Sequence, residues 1–274
     1  KNYSSAATPT ITADPSGSAA TFGIVVVFRP ESSGWNFGTN GFLLEGGTNV
    51  AAGTDSSYTE PTSYVPVPVT FDGTNDSLTR GANLTGLSDV NTITIAGWFK
   101  LNSLGTTQEI VCFGQDKTTV YIHDSAHDLR FFSRNADNSV EQGFSSGTVF
   151  KIGIWYHFAL SSNGTTQQLY INGVSDLVAG TNNSDTLNLT PGDVGIGCRK
   201  PDSGDPDQLF DGDLADIMMD DTRIDLSNST NLAKFISATG EPVDPSSNGS
   251  TPFGASPLIY LNSNALATWH TNSG

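Results

Sequence analysis

The sequence has few basic residues, no long apolar run and almost no helix signal, and each shortage excludes a class of protein. Only 12 Lys and Arg stand against 28 Asp and Glu, for a formal net charge of −16 at pH 7. Nucleic-acid binding draws on clustered cations that displace counterions, so this charge argues against a nucleic-acid partner. The most apolar stretch, residues 24–28, is strand-sized, whereas a membrane-spanning helix needs about 20 apolar residues. No membrane span is expected.

Cysteine is scarce too. Cys112 and Cys198 lie far apart, in strand-like apolar stretches and without Cys-x-x-Cys or Cys/His spacing. This pattern does not favour a zinc site. The two residues could pair as a disulfide in an oxidising compartment, but we expect two buried thiols.

What the sequence does contain is alternation of apolar and polar residues with period two. In residues 92–100, Ile93, Ile95 and Phe99 fall on one face, and Thr94 and Trp98 on the other, as in a half-buried strand. Residues 155–160 and 166–171 form a predicted hairpin around Asn163-Gly164, a pair that favours the positive φ angles of a type I′ turn. A second turn is expected at Asn172-Gly173. Further strands are predicted at 67–71, 109–113, 119–122, 129–132, 194–198 and 214–219.

The spacing of these strands is typical of sandwiches and jelly rolls. The sequence therefore predicts an all-β fold, a two-sheet antiparallel jelly-roll sandwich with three segments. Residues 1–66, rich in Ser, Thr, Gly and Pro, form an N-terminal attachment or assembly segment with one strand at 21–28, similar to the end of a preceding β module. Residues 67–226 form the jelly roll. Residues 227–274 form a loop-rich C-terminal extension with a short helix at 231–237 and a strand at 258–261. Lys1 in place of Met indicates a fragment or a processed product.

Four motifs occur in the order seen in laminin-G-like (concanavalin A-like) jelly rolls. They are VTFDGTNDSL at 69–78, IAGWF at 95–99, WYHF at 155–158 with LYING at 169–173, and FDGDLADI at 210–217. The later stretches AKFISATGEPVD at 233–244, PLIYL at 257–261 and ATWHTNSG at 267–274 resemble the tails of laminin-G-like proteins encoded by bacteriophages and prophages.

This resemblance implies a non-enzymatic protein on the virion surface, as a capsid decoration protein, a head fibre or a tail-associated protein. Its implied partners are other virion proteins, further copies of the chain in a homo-oligomer, and host surface glycans. An alternative is a carbohydrate-binding module of a secreted or cell-surface bacterial protein, which would be extracellular. A third, weaker interpretation is a degenerate or unrecognised glycanase. Fold analogy does not choose between these roles.

Catalytic patterns are missing from the sequence. Glycoside hydrolysis needs two carboxylates placed across the scissile bond, and none of the six Glu lies in the alternating Glu-x-Asp spacing that would supply them. No GxSxG elbow is present. His123 and His127 stand four apart, a spacing that binds metal on a helix, but the flanking strands predict a polar hairpin loop instead.

A structural Ca²⁺ is the one cofactor for which the sequence offers candidates. Asp72 and Asp76 flank the first core strand, and Asp213 and Asp216 lie on a late one. Related jelly rolls often bind Ca²⁺ where such strands meet, and carboxylate oxygens suit this ion. The alternative is a turn aspartate at Asp72 and solvated acids elsewhere.

Aromatic residues could form a platform for sugar rings. In the strands of a sandwich, however, they are more often part of the core. We therefore assign no sugar-binding residue among Trp35, Trp98, Trp155, Trp269, Tyr121, Tyr156 and Tyr170.

Overall fold

The protein is described here from a computed structural model, which covers residues 64–115, 117–200 and 204–262. The predicted attachment segment lies outside these residues except for its last three, and so do the strand predicted at 21–28, Trp35 and Trp269. No helix within the described ranges is long and apolar enough to cross a membrane.

Fourteen strands and two short helices make up the described part of the chain. In chain order they are β1 (Val69–Asp72), β2 (Leu78–Arg80), β3 (Ile93–Leu101), β4 (Gln108–Phe113), β5 (Thr118–Ile122), β6 (Leu129–Arg134), β7 (Val140–Ser146), β8 (Trp155–Ser162), β9 (Gln167–Ile171), β10 (Val174–Ser175), β11 (Leu177–Val178), β12 (Val194–Ile196), β13 (Asp211–Asp220), α1 (Ser229–Leu232), α2 (Ser250–Phe253) and β14 (Ile259–Leu261).

The strands form two seven-stranded antiparallel sheets, which confirms the predicted sandwich. The first sheet has the order β1-β13-β3-β8-β9-β10, with β14 also paired to β13. The second has the order β11-β7-β6-β5-β4-β12-β2. Strands far apart in the chain are neighbours, as β1 and β13 show in the first sheet. Such pairing is characteristic of jelly rolls.

The core lies between the two sheets and takes every second residue of their strands. In β1 it buries Val69 and Phe71, and in β6 Leu129 and Phe131. An aromatic cluster at its centre brings the Phe99 ring within 4.9 Å of Phe150 and 5.6 Å of Tyr156, measured between centroids. Each large side chain so buried stabilises the fold by about 1.5–3 kcal/mol.

The outer face of the first sheet is also buried, which corrects the half-buried interpretation of β3. Thr94 and Ala96 of β3 are completely buried, and Trp98 is 9% exposed. The reason is that the C-terminal extension folds over this face. A second apolar cluster there joins Ala96, Ala159 and Met218 of the sheet to Leu226, Phe235 and Tyr260, and a third joins Trp98 and Ala215 to Ile236.

The two Asn-Gly pairs form turns, but of different kinds. At Asn172-Gly173 both φ angles are positive, 49° and 76°, in a two-residue hairpin between β9 and β10. At Asn163-Gly164 only the glycine is left-handed, so the type I′ expectation is wrong there. Four residues separate β8 and β9, and the Asn163 side chain accepts hydrogen bonds from the backbone N–H groups of Thr165 and Thr166. This side-chain capping replaces the tight turn.

The C-terminal helix is shorter and earlier than its apolar pattern predicts. It spans Ser229–Leu232 because the Asn228 side chain caps it by accepting from the Thr230 N–H. The predicted strand at the end of this segment is present as β14. Strands β2, β7, β10 and β11 and helix α2 were not predicted.

Candidate functional site

The second sheet presents aromatic and basic side chains on its outer face. In β6, Leu129, Phe131 and Ser133 are buried in the interior, whereas the alternate residues Arg130, Phe132 and Arg134 are half-buried. This arrangement follows from the two-residue period of a strand, which sends successive side chains to opposite faces. We call these three residues together with Tyr121 the open face.

Pairing between β5 and β6 sets the geometry of the open face. Tyr121 is directly opposite Arg130, and Thr119 is opposite Phe132. Asp128 accepts a 3.0 Å hydrogen bond from Arg130 Nε. Burial raises the pKa of Tyr121, and the neighbouring Arg130 guanidinium acts in the opposite direction. The phenol therefore stays neutral at physiological pH and keeps both its donor and its acceptor capacity.

Arg134 is held at one end of this row. Its guanidinium carbon lies 4.8 Å from the centroid of the Phe132 ring, as a cation–π contact. Its Nη1 donates a 2.9 Å hydrogen bond to the Asn138 carbonyl oxygen, while the Asn138 side chain accepts one of 2.9 Å from Lys117 Nζ. Two cations are thus anchored on one turn beside an aromatic ring.

Paired polar groups lie beside the open face, on the side of β4, where Glu109 is directly opposite Tyr121. Glu109 of β4 is 2% exposed and accepts a hydrogen bond from the Thr119 hydroxyl. Next to this strand, Arg199 binds Asp207 through two hydrogen bonds of 2.8 and 2.6 Å, which hold the pKa of that carboxyl below its usual range. These contacts hold the edge of the face that adjoins β4.

Such a surface can bind a sugar. Half-exposed rings pack against the apolar side of a pyranose, and neighbouring guanidinium and hydroxyl groups donate hydrogen bonds to its oxygens. The sequence analysis missed Arg130, Phe132 and Arg134, although the alternation in residues 129–134 contained the signal. Trp98 and Tyr156 are core residues, as expected.

Trp155 is the most exposed of the named aromatic residues in the described part of the chain. Its side chain is 36% exposed at the start of β8. Lys100 Nζ lies 5.2 Å from the centroid of its ring. Trp155 is therefore the second place where a sugar ring could stack.

A small pocket lies between the first sheet and the C-terminal extension, and Lys234 is among its lining residues. It is of a size for one water molecule and too small for a sugar ring. On its floor the ring of His157 packs against Trp98 at 5.0 Å between centroids. Burial lowers the pKa of His157 to about 3, and its Nδ1 has no hydrogen-bond partner within the described residues. The imidazole is therefore neutral at physiological pH.

Asp216 shares this pocket and occupies a bulge in β13. The register with β3 shifts between Ala215 and Met218, and Asp216 adopts a left-handed φ of 48°. Its carboxylate accepts a 2.7 Å hydrogen bond from the Tyr64 hydroxyl. Burial raises the pKa of Asp216 to about 6, against the opposing effect of hydrogen bonds from Tyr64 and Tyr260.

The four acids proposed for calcium have separate partners. The Asp72 carboxylate accepts from the N–H groups of Thr74 and Asn75, as a turn aspartate does, and Asp76 Oδ2 lies 3.2 Å from the Asp72 nitrogen. Asp213 pairs with Lys100 and accepts from the Thr70 hydroxyl, and Asp216 is held by Tyr64.

In the described ranges no three His, Cys, Asp or Glu side chains are grouped so that they could hold a metal. This arrangement does not fit a shared ion, and calcium binding stays a prediction for experiment.

The histidine and cysteine interpretations agree with the structure. Residues 123–128 form the loop of the β5-β6 hairpin, closed by a 3.0 Å hydrogen bond from the His123 N–H to the Asp128 carbonyl oxygen. Cys112 and Cys198 are both buried and form no disulfide. Burial raises the pKa of the Cys198 thiol to about 12, so this thiol is unreactive at neutral pH.

Comparison with known proteins identifies the superfamily of the chain. Residues 72–224, more than half of the chain, match the family model of the concanavalin A-like lectin/glucanases superfamily. A putative carbohydrate binding protein from Bacteroides ovatus is 14% identical, with a TM-score of 0.51 over 72% of this chain and 51% of that one. A SAP-like pentraxin from Limulus polyphemus is 20% identical, with a TM-score of 0.46 over 61% of this chain and 82% of that one. No curated protein matches the sequence.

Proposed function

We propose that this chain, a member of the concanavalin A-like lectin/glucanase superfamily, binds carbohydrate on the outer face of its second sheet. The observation that carries the proposal is the row of Tyr121, Arg130 and Phe132, whose side chains are half-buried on a face of polar and aromatic character. Among the described residues, the C-terminal extension covers much of the outer side of the first sheet and leaves Trp155 exposed at the start of β8.

The chemistry of the row suits a sugar better than an apolar ligand. Tyr121 and Phe132 supply ring surface, while Arg130 and the tyrosine hydroxyl supply donors and an acceptor within one strand spacing. The face is not a deep cleft, so each site should bind weakly. Copies joined in an oligomer would raise the avidity by about 10²- to 10⁴-fold without new contacts.

Titration calorimetry with a panel of oligosaccharides tests the proposal. Tyr121→Ala and Phe132→Ala should each weaken binding at least about tenfold, the loss expected when a stacking ring is removed. Trp155→Ala should leave it unchanged. Both rings are half-buried, so thermal melting must first show that the variants fold. Binding that survives the first two substitutions but fails in Trp155→Ala would move the site to the end of the sandwich.

The finer role that we propose is display on a virion, as a capsid decoration, head-fibre or tail-associated protein. The resemblance of residues 233–274 to the tails of phage-encoded proteins supports this role. Residues 1–66 are proposed to attach the chain, which would leave the sandwich exposed to host glycans. A chain that begins at residue 63 keeps Tyr64 and should fold without joining particles.

Mass spectrometry of purified particles gives the direct test of the virion role. Peptides from this chain should be present at a stoichiometry that matches a virion component. If the protein is instead secreted from cells that hold no particles, the alternative applies, and the chain is a carbohydrate-binding module of an extracellular bacterial protein.

A further inference from the structure

Lys117 lies next to Arg134 at one end of the open face, and the two form a pair of like charges. The Arg134 N–H donates a 2.6 Å hydrogen bond to the Lys117 carbonyl oxygen, so the two residues are cross-strand neighbours. Both side chains also contact Asn138. Lys117 Nζ donates to its side-chain amide oxygen, and Arg134 Nη1 donates to its backbone carbonyl oxygen. Within the described residues neither cation forms an ion pair with a carboxylate.

Lys117 and Arg134 differ from the other cations of this acidic chain in that they are neighbours on one turn. With 28 acidic residues against 12 basic ones, a carboxylate beside each cation is the expected arrangement. Lys100, Arg130, Arg199 and Arg223 follow that expectation, since each lies within 4.0 Å of an aspartate oxygen. Among the described residues, Arg80, Lys151 and Lys234 are single cations that form no ion pair. Two adjacent cations that repel each other are relieved when an anion binds between them.

The two cations are held in place before any ligand arrives. Asn138 has a left-handed φ of 66° in a turn closed by its N–H on the Asn135 carbonyl oxygen, at 3.0 Å. The Asn135 side chain accepts a second bond, of 2.9 Å, from the Ser139 N–H. Stacking on Phe132 orients the Arg134 guanidinium. One nitrogen of that group is used by Asn138, which leaves its other N–H groups for an acceptor.

We infer that the ligand of the open face is an anionic sugar, with its ring against Tyr121 and Phe132 and its acidic group between Lys117 and Arg134. This inference rests on the proposed function and adds the substrate class. A carboxylate and a sulfate ester share the chemistry that the pair recognises, because both offer several oxygens to ammonium and guanidinium donors. Because the whole chain is strongly negative, recognition must come from this local pair and not from the overall field.

The experiment is a titration of the full chain with oligosaccharides of equal length that are neutral, carboxylated or sulfated. The anionic sugars should bind at least about tenfold more tightly than the neutral one, as charge-assisted hydrogen bonds predict. The Lys117→Gln/Arg134→Gln double variant should lose this preference, so that it binds the anionic and the neutral sugars with the same affinity. Lys151→Gln, which removes an exposed cation from the loop before β8, serves as the matched control and should change nothing.

Each result decides the inference. Equal binding of neutral and anionic sugars to the unmodified chain would overturn it and leave the proposed function intact. A preference that survives in a folded double variant, with a melting temperature like that of the control, would overturn the assignment to this pair. Preference for the carboxylated or for the sulfated sugar supports the inference and identifies the acid. If no sugar of any kind binds, the proposed function fails as well.

Discussion

The Tyr64 hydroxyl donates a 2.7 Å hydrogen bond to Asp216 Oδ1, which joins two residues 152 positions apart. Tyr64 precedes the first strand, and Asp216 lies in the bulge of β13. Tyr260 of β14, from the C-terminal extension, also contacts this carboxyl group. Segments from both ends of the sandwich therefore meet at one buried acid, and the stability of the fold should respond to its protonation.

Asp216→Asn should make the protein more stable than the unmodified chain at neutral pH. The pKa of Asp216 is raised from 3.8 to about 6 in the folded protein, so the group favours folding below pH 3.8 and this contribution is lost as pH rises through 6. The charged form then costs on the order of 3 kcal/mol, and asparagine removes that cost while it still accepts from Tyr64.

Urea unfolding at several pH values measures this effect. The difference in unfolding free energy between Asp216→Asn and the unmodified chain should grow from pH 4 to pH 6 and then level off. Asp137→Asn, at an exposed acid, is the control and should show no such growth. A constant difference across the range would mean that Asp216 is not perturbed in the folded protein.

His157→Phe should remove a pH dependence of the unfolding free energy whose sign is opposite to that of Asp216. The pKa of His157 falls from 6.5 to about 3 on folding, so the unfolded chain binds a proton that the folded one does not, and stability decreases as pH falls below 6.5. Phenylalanine keeps the contact with Trp98 and carries no titratable group. In the same unfolding series, this variant should gain stability relative to the unmodified chain between pH 6.5 and 4. A variant that loses stability equally at every pH would show that packing alone matters there.

Phe235→Ala should destabilise the whole domain by about 3–5 kcal/mol, because it opens a cavity in a packed cluster. Phe235 is 4% exposed and meets Phe253 edge-on at 5.9 Å between centroids. A loss of this size in a single transition would show that the C-terminal extension unfolds together with the sandwich. Val174→Ala, at a residue 68% exposed on β10, is the matched control and should cost under about 0.5 kcal/mol. Unfolding of Phe235→Ala in two steps, with the main transition unchanged, would instead mark the extension as a separate unit.

Hydrolysis of polysaccharides is not expected from this chain. The two glutamates in the described sheets, Glu109 and Glu141, are 2% and 4% exposed and so are poorly placed to reach a glycosidic bond. Reducing-sugar assays on β-glucans, agar and bacterial surface glycans should give no release above the blank. Release that disappears in Glu109→Gln would establish an enzyme and contradict this prediction.

Calcium binding, if it occurs, should raise the thermal stability of the protein. A ligand that binds only the folded state raises its melting temperature by mass action. If Asp72 and Asp216 share one Ca²⁺, excess calcium should raise the melting temperature, and Asp216→Ala should abolish the rise. Identical melting curves with calcium and with a chelator would exclude the site.

The amino-acid sequence by itself determined the strands and the fold class. Alternation in residues 92–100 and 129–134 marks strands because side chains of a strand point to opposite faces, and β3 and β6 lie there. The Asn172-Gly173 pair determined a tight turn, since both residues tolerate positive φ. These signals depend only on residues that are close together in the chain, so the sequence alone is enough to identify them.

Only the tertiary structure decided what covers each face of those strands. Trp98 lies on the polar side of its strand by pattern, yet Ile236 from the C-terminal extension buries it. Lys117 and Arg134 become a pair only through the register of two strands and a shared turn. The alternation of apolar and polar residues shows that a strand has two faces. What packs on each face depends on contacts between residues far apart in the chain, such as Tyr64 and Asp216.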